Sequence, residues 1–160
     1  SGADQGGLEA GEALGLETGG WMPKGFLTED GPRPDLAVRF GMQEHASASY
    51  RKRTLQNVLD CDGTVILGDA STGGTRLTLA YCREHGRPHL LLNPLERAEG
   101  SLDRDPAPAE IETVAAWLRE REIGRRNVAG KRESGAPRPQ RYARELIVRA
   151  VALANRTAGR

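Results

Sequence analysis

Lysine, aromatic side chains and net charge are all scarce in this chain. Its 160 residues carry a formal net charge of +1, which removes any global electrostatic argument for a nucleic-acid or membrane partner. Aromatics make up 4% of the residues and the hydrophobic class 38%, so a core must rest on Leu, Val, Ile and Ala. Lys24, Lys52 and Lys131 are the only lysines. An arginine bias of this kind follows from genome base composition, so arginines are read functionally only beside other site-like residues. Cys61 and Cys82 are not spaced as a metal pair, and His45, His85 and His89 share no metal spacing. No metal site is therefore expected, and no disulfide in what reads as a cytoplasmic protein. No apolar run approaches membrane-spanning length and no signal peptide is visible. The length suits one compact α/β domain over residues 1–160.

What the chain does have is the stretch from Asp60 to Thr75, followed by the apolar-periodic Leu77 to Cys82. Gly63 to Gly68 is apolar after Thr64, as in a central parallel strand buried on both faces. Asp69 to Thr75 is a loop of small residues, and Thr75 to His85 reads as a helix stopped by Gly86. Strand, small-residue loop and helix start form an anion site, because backbone N–H groups and hydroxyls collect at the positive end of a helix dipole. The glycines let the backbone approach a ligand where a Cβ would block it. The loop is neither a Walker A nor a Gly-x-Gly-x-x-Gly fingerprint. On residue types alone, ligand binding by Ser71, Thr72, Gly73, Gly74 and Thr75 stands beside a tight turn with Thr72 or Thr75 capping the helix.

Further helices are predicted from Asp4 to Leu14, from Ser47 to Asp60 with Ser49 as cap and Leu55, Val58 and Leu59 inward, from Ala109 to Glu122, and from Gln140 to Ala154. His89 to Asn93 and Arg126 to Ala129 read as strands. Thr18 to Pro34 is a Gly- and Pro-rich loop, Glu96 to Pro108 a connector, and Gly130 to Gly135 a turn. Alternating strands and helices imply a single Rossmann-like, doubly wound, mostly parallel sheet with helices on both faces. Ligands of such sheets sit at the carboxyl edge, which makes Asn93, closing its strand, a candidate beside its alternative as a turn cap; Asn127, on the last short strand, is weighed in the same way. Lys24, next to Trp21, could neutralise a phosphate or be a solvated surface lysine. Glu29 and Asp30 could act as acid or base but suit a turn before Gly31-Pro32. Of Arg51, Lys52 and Arg53, one is expected to reach the ligand. Ser71 lacks a nucleophile-elbow context, and no catalytic residue is assigned.

Several blocks then agree in order: Ser1-Gly2-Ala3-Asp4-Gln5-Gly6-Gly7-Leu8, Gly19-Gly20-Trp21-Met22-Pro23-Lys24-Gly25, Glu29-Asp30-Gly31, Arg53-Thr54 with Asn57-Val58 and Asp60, Asp62-Gly63-Thr64, Gly73-Gly74-Thr75, and Asn127-Val128-Ala129-Gly130 with Arg132-Glu133-Ser134. Together they resemble the "putative molybdenum cofactor carrier" family, a circularly permuted branch of the SLOG superfamily of Rossmann-like nucleotide-binding proteins. The resemblance implies a homo-oligomeric carrier protein that binds molybdenum cofactor, a phosphorylated pterin dithiolene, as cargo, with molybdoenzymes as further partners. It implies that Ser71 to Thr75 hold the phosphate, that Ser1, Gly2, Asp4 and Gln5 form a neighbouring anion loop, and that Trp21, Lys24, Arg53 and Asn57 wall the cleft.

Family members begin with a strand and a Ser-Gly-Gly-Gln segment before the equivalent of Ser1. Both are absent here, and the expectation is that the natural chain starts earlier, since a missing central strand would leave backbone groups unpaired. The alternatives are a nucleoside monophosphate phosphoribohydrolase and a nucleotide-sensing SLOG protein. The hydrolases resemble Pro-Gly-Gly-x-Gly-Thr-x-x-Glu at this loop, and Ser71-Thr72-Gly73-Gly74-Thr75-Arg76-Leu77-Thr78 lacks that Glu.

Overall fold

The computed structural model describes residues 2–93, 104–131 and 139–158. The expected Glu96–Pro108 connector and Gly130–Gly135 turn lie largely outside these residues, as does Ser1. In chain order the elements are α1 (Ala3–Ala13), β1 (Gly20–Met22), β2 (Leu27–Thr28), β3 (Gly31–Pro32), α2 (Pro34–Phe40), β4 (Met42–Glu44), α3 (Tyr50–Leu59), β5 (Gly63–Leu67), α4 (Gly73–Glu84), β6 (His89–Leu92), α5 (Pro108–Glu120), β7 (Arg126–Gly130) and α6 (Pro139–Ala158).

β5 is the centre of an all-parallel sheet of order β6-β5-β7. Its register pairs Leu67 with Leu92 on one side and with Gly130 on the other. Every residue of β5 is buried, which is why its sequence shows apolar continuity rather than alternation. The pleat still divides the side chains. Val65 and Leu67 join the core built with α1, α5 and α6, whereas Ile66 joins Val58, Leu79 and Cys82 of α3 and α4. Helices on both faces of a parallel sheet make this a Rossmann-like α/β fold. Among the described residues the other strands form two smaller sheets, a parallel β1-β4 pair and an antiparallel β2-β3 hairpin. What reads in sequence as a long loop from Thr18 to Pro34 thus contains three short strands.

The predicted helices form with small changes at their ends. α3 starts after Ser49, whose side chain accepts from the Lys52 N–H at 3.4 Å. Its inward positions are Thr54 and Val58, one turn apart, while Leu59 is 37% exposed. The expectation that Leu59 packs inward is corrected. A threonine takes the buried position one turn earlier because its hydroxyl donates to the Tyr50 carbonyl at 2.9 Å and so carries no unsatisfied donor inward. α1 packs tightly because it has glycines where it meets its neighbours. A Cβ on Gly6 would lie 2.2 Å from the Gln140 carbonyl oxygen, and one on Gly7 would lie 2.6 Å from the Val128 Cβ. Among the described residues, no helix is long and apolar enough to cross a membrane.

Candidate functional site

β5 delivers the chain to Gly68, whose φ of 106° belongs to a region that favours glycine. Asp69 then folds back on the loop: one carboxylate oxygen accepts the Ser71 N–H at 2.9 Å and the other accepts the Ser71 hydroxyl at 2.8 Å. Those two donors, with Lys131 nearby, hold the Asp69 carboxyl below the usual carboxylate range. Thr72 is the N-cap of α4 but its side chain makes no capping hydrogen bond. Thr75 is buried inside the first turn, so neither threonine caps the helix as the tight-turn alternative required. The helix begins at Gly73, two residues before the expected start, and the Arg76 N–H donates to Thr72 O at 3.3 Å. The N–H groups of Gly73, Gly74 and Thr75 therefore have no acceptor within the helix, and Gly73 and Gly74 are exposed.

A second helix start stands beside the first. β7 ends at Gly130, level with Leu67, and the Lys131 carbonyl accepts the Ala3 N–H at 3.1 Å. Gly2 caps α1 with φ 79° and ψ −144°, and the first turn holds Asp4. The ends of β5 and β7 thus place the N-termini of α4 and α1 at one sheet edge. Two positive dipole ends, each equivalent to about half an elementary charge, converge there. Lys131 spans the gap between the strands: its Cγ lies 3.1 Å from where a Cβ would stand on Gly68. Asn93 follows β6 directly, and the Gly68 N–H donates to Leu92 O at 2.9 Å, so Asn93 flanks the same edge.

The wall beyond α4 comes from the start of α3. A Cβ on Gly74 would lie 3.9 Å from the Tyr50 ring, and the Arg53 guanidinium stacks 4.1 Å over that ring. The Arg53 Nε is buried without a hydrogen-bond partner, whereas Arg51 and Lys52 are exposed. Lys24 is exposed, its N–H bonded to Ser47 O at 3.2 Å, two residues before the N-cap of α3.

Trp21 and Asn57 are held elsewhere. The Asn57 side-chain amide accepts the Trp21 N–H at 2.9 Å and donates to the Trp21 carbonyl at 3.1 Å, which is what a neighbouring strand would do for β1. The Trp21 indole donates to Asp60 at 2.7 Å and meets His45 edge-on at 5.7 Å. Asp60 caps the far end of α3, about 15 Å along the helix from Tyr50. Asn57 is thus a strand cap that positions Trp21. Asn127 donates to Thr64 at 3.4 Å near the opposite, amino ends of β7 and β5, away from the site. Gly68 and Lys131 were not among the sequence candidates, and Asp69 was placed in the loop without a role of its own. Lys131 could have been found by the rule that selected Asn93, since each directly follows a short strand.

Burial pushes the Cys61 thiol up to about 11 and raises that of Cys82 as well, so neither is a thiolate at neutral pH. Among the described residues no cluster of three His, Cys, Asp or Glu side chains is placed to hold a metal ion.

Fold and edge together define a Rossmann-like α/β protein with two helix N-termini at the carboxyl ends of its parallel strands. The circularly permutated YpsA SLOG family matches residues 1–151, and the chain belongs to that family. A solved structure, described as "Putative molybdenum carrier protein" from Syntrophus aciditrophicus SB, is similar at 31% identity and a TM-score of 0.76. The match covers 92% of this chain and 87% of that one. No curated protein matches the chain.

Proposed function

We propose that the protein binds molybdenum cofactor as cargo and holds it by its phosphate at the carboxyl edge of the sheet. The observation that carries this reading is the convergence of the α4 and α1 N-termini on either side of Lys131. A phosphomonoester presents two negative charges and several acceptor oxygens to such an edge. Gly73, Gly74 and Thr75 offer N–H donors from one side and the first turn of α1, with Gly2, Asp4 and Gln5, offers them from the other. Lys131 supplies the charge, and Arg53 on Tyr50 and the exposed Lys24 lie on the α3 side. The similar solved protein carries a molybdenum carrier description, which favours this phosphorylated pterin over other phosphorylated heterocycles. Holding cargo asks for no acid, base or nucleophile. The one carboxylate fixed in the loop, Asp69, has both oxygens occupied by Ser71.

Anaerobic titration with molybdenum cofactor tests the reading. Saturable 1:1 binding is expected, weakened at least tenfold by Gly74→Asp, which puts a carboxylate among the α4 amides. No release of free base from AMP is expected. Absence of binding, or binding indifferent to Gly74→Asp, would overturn the assignment.

A further inference from the structure

The opposite edge of the sheet carries a different charge arrangement. There, a cavity of about 420 Å³ opens among Arg83 in the last turn of α4, Arg87, Pro88 and His89 leading into β6, and Trp117 and Arg121 at the end of α5. Its volume lies within the range of small-molecule sites, roughly 300–1,000 Å³. No carboxylate lines it.

Some of this positive charge has a structural use. α4 and α5 both end here, and arginine near a helix C-terminus offsets the dipole. Arg87 also donates through one Nη to the Leu59 and Cys61 carbonyls. The magnitudes nevertheless do not balance. Two helix ends supply about one negative charge in total, against three guanidinium groups. Among the described residues, Arg83, Arg87 and Arg121 form no ion pair. The Arg87 Nε is buried and has no acceptor, a state that costs free energy until one arrives. His89 lines the cavity with its ring, its Nδ1 proton being directed to the Arg87 carbonyl at 3.0 Å. Trp117 and Pro88 provide flat apolar surface beside these cations.

We infer that this amino-edge cavity is a second small-molecule site, for a ligand that joins an aromatic ring to a phosphate-type dianion. The ring lies against Trp117 and Pro88, and the dianion neutralises the excess charge of Arg83, Arg87 and Arg121. The site is separate from the carboxyl-edge loop and is independent of what that loop carries.

The two tryptophans of the chain make the test direct. The indole resonance of Trp117 is followed by NMR in the unsubstituted chain while AMP, adenosine or inorganic phosphate is added. AMP is expected to shift it saturably, with adenosine and phosphate each at least tenfold weaker. The Arg83→Ala, Arg121→Ala double variant, altering two exposed side chains, is expected to weaken AMP at least tenfold, with the urea midpoint lowered only by the lost compensation of the two helix ends. Gly74→Asp at the other edge should leave the Trp117 response intact. The inference is overturned if AMP leaves Trp117 unmoved, if the double variant binds as tightly as the parent, or if Gly74→Asp abolishes the response.

Discussion

Asp69 is the residue at which the loop departs most from a plain anion cradle. A carboxylate sits where the proposed cargo would place its dianion, with both oxygens committed to Ser71. It orders the turn and at the same time repels the cargo, while Lys131 offsets that repulsion. Asp69→Asn keeps an acceptor for the Ser71 N–H and removes the charge. It is expected to tighten binding of a phosphorylated ligand about three- to tenfold at low salt, by the Coulomb energy of one charge across several ångströms of wet surface. The gain should shrink as salt screens it. Titrations at two ionic strengths check this, and weaker binding by the variant would mean that Asp69 contacts the ligand favourably. Asn57 makes the opposite kind of prediction. Its amide satisfies both main-chain groups of Trp21, so Asn57→Ala should cost about 1–3 kcal/mol in urea unfolding. That role was not legible in the sequence: the two residues lie 36 positions apart, and nothing local in either announces a strand cap. Lys131 was legible in principle, as a polar residue following a short strand, and was overlooked because its neighbours read as a turn.

At the scale of elements, legibility followed length and periodicity. α5 and α6 bury Val114, Ala115, Leu146, Ile147 and Ala150 completely or nearly so, and those positions recur at helical spacing. β5 was plain from its apolar run. By contrast β1, β2, β3 and β4 have two or three residues each, too few for any period to register, and β4 is largely exposed. α2 carries signals of its own, Pro34 at its start and Gly41 in the left-handed region at its end, but spans only two turns. The join between α1 and α6 was invisible because it is made by an absence of side chains. Gly6→Ala would gain about 1 kcal/mol of helix propensity. It would nevertheless force a Cβ to within 2.2 Å of a backbone oxygen, and net destabilisation of about 1–2 kcal/mol is expected by chemical denaturation.

The start of α5 adds a pH dependence. Burial alone would push the Glu110 carboxyl up, but the Arg104 guanidinium, bonded to it at 2.7 and 2.9 Å, and the Ala107 N–H outweigh that and leave it lowered. The unfolded chain then takes up this proton at a higher pH than the folded one. The stabilisation is therefore present above the ordinary glutamate value of about 4.3 and is lost as pH falls through the lower folded value. Glu110→Gln should flatten that part of the acid limb in urea midpoints measured below pH 5. An unchanged acid limb would remove Glu110 from the account.

Taken as a whole, the molecule is electrically polarised by its topology. Parallel strands with helices on both faces send helix N-termini to one edge and C-termini to the other. The glycine-rich loop and Lys131 lie at the first edge, and the arginines around Trp117 lie at the second. This polarity follows from strand and helix order, so the edge that collects the helix N-termini was readable before any side chain was placed, whereas the partition of the residues around it was not. It also ties ligand binding to global stability. β5 is wholly buried between both helical layers, and the loop leads directly from it into α4. A ligand that binds only the folded chain at a hundred times its Kd stabilises by about 2.7 kcal/mol. For a chain of 160 residues, that corresponds to a rise in Tm of roughly 5–11 °C. Molybdenum cofactor under anaerobic conditions is expected to produce a rise of that size, and Gly74→Asp, binding at least tenfold more weakly, to cut it to about half or less. Molybdate at the same concentration shares the double negative charge but has no pterin to bury, so it should give less than half the shift. An equal shift from molybdate would reduce the carboxyl edge to a general oxyanion site and remove the pterin from the proposal.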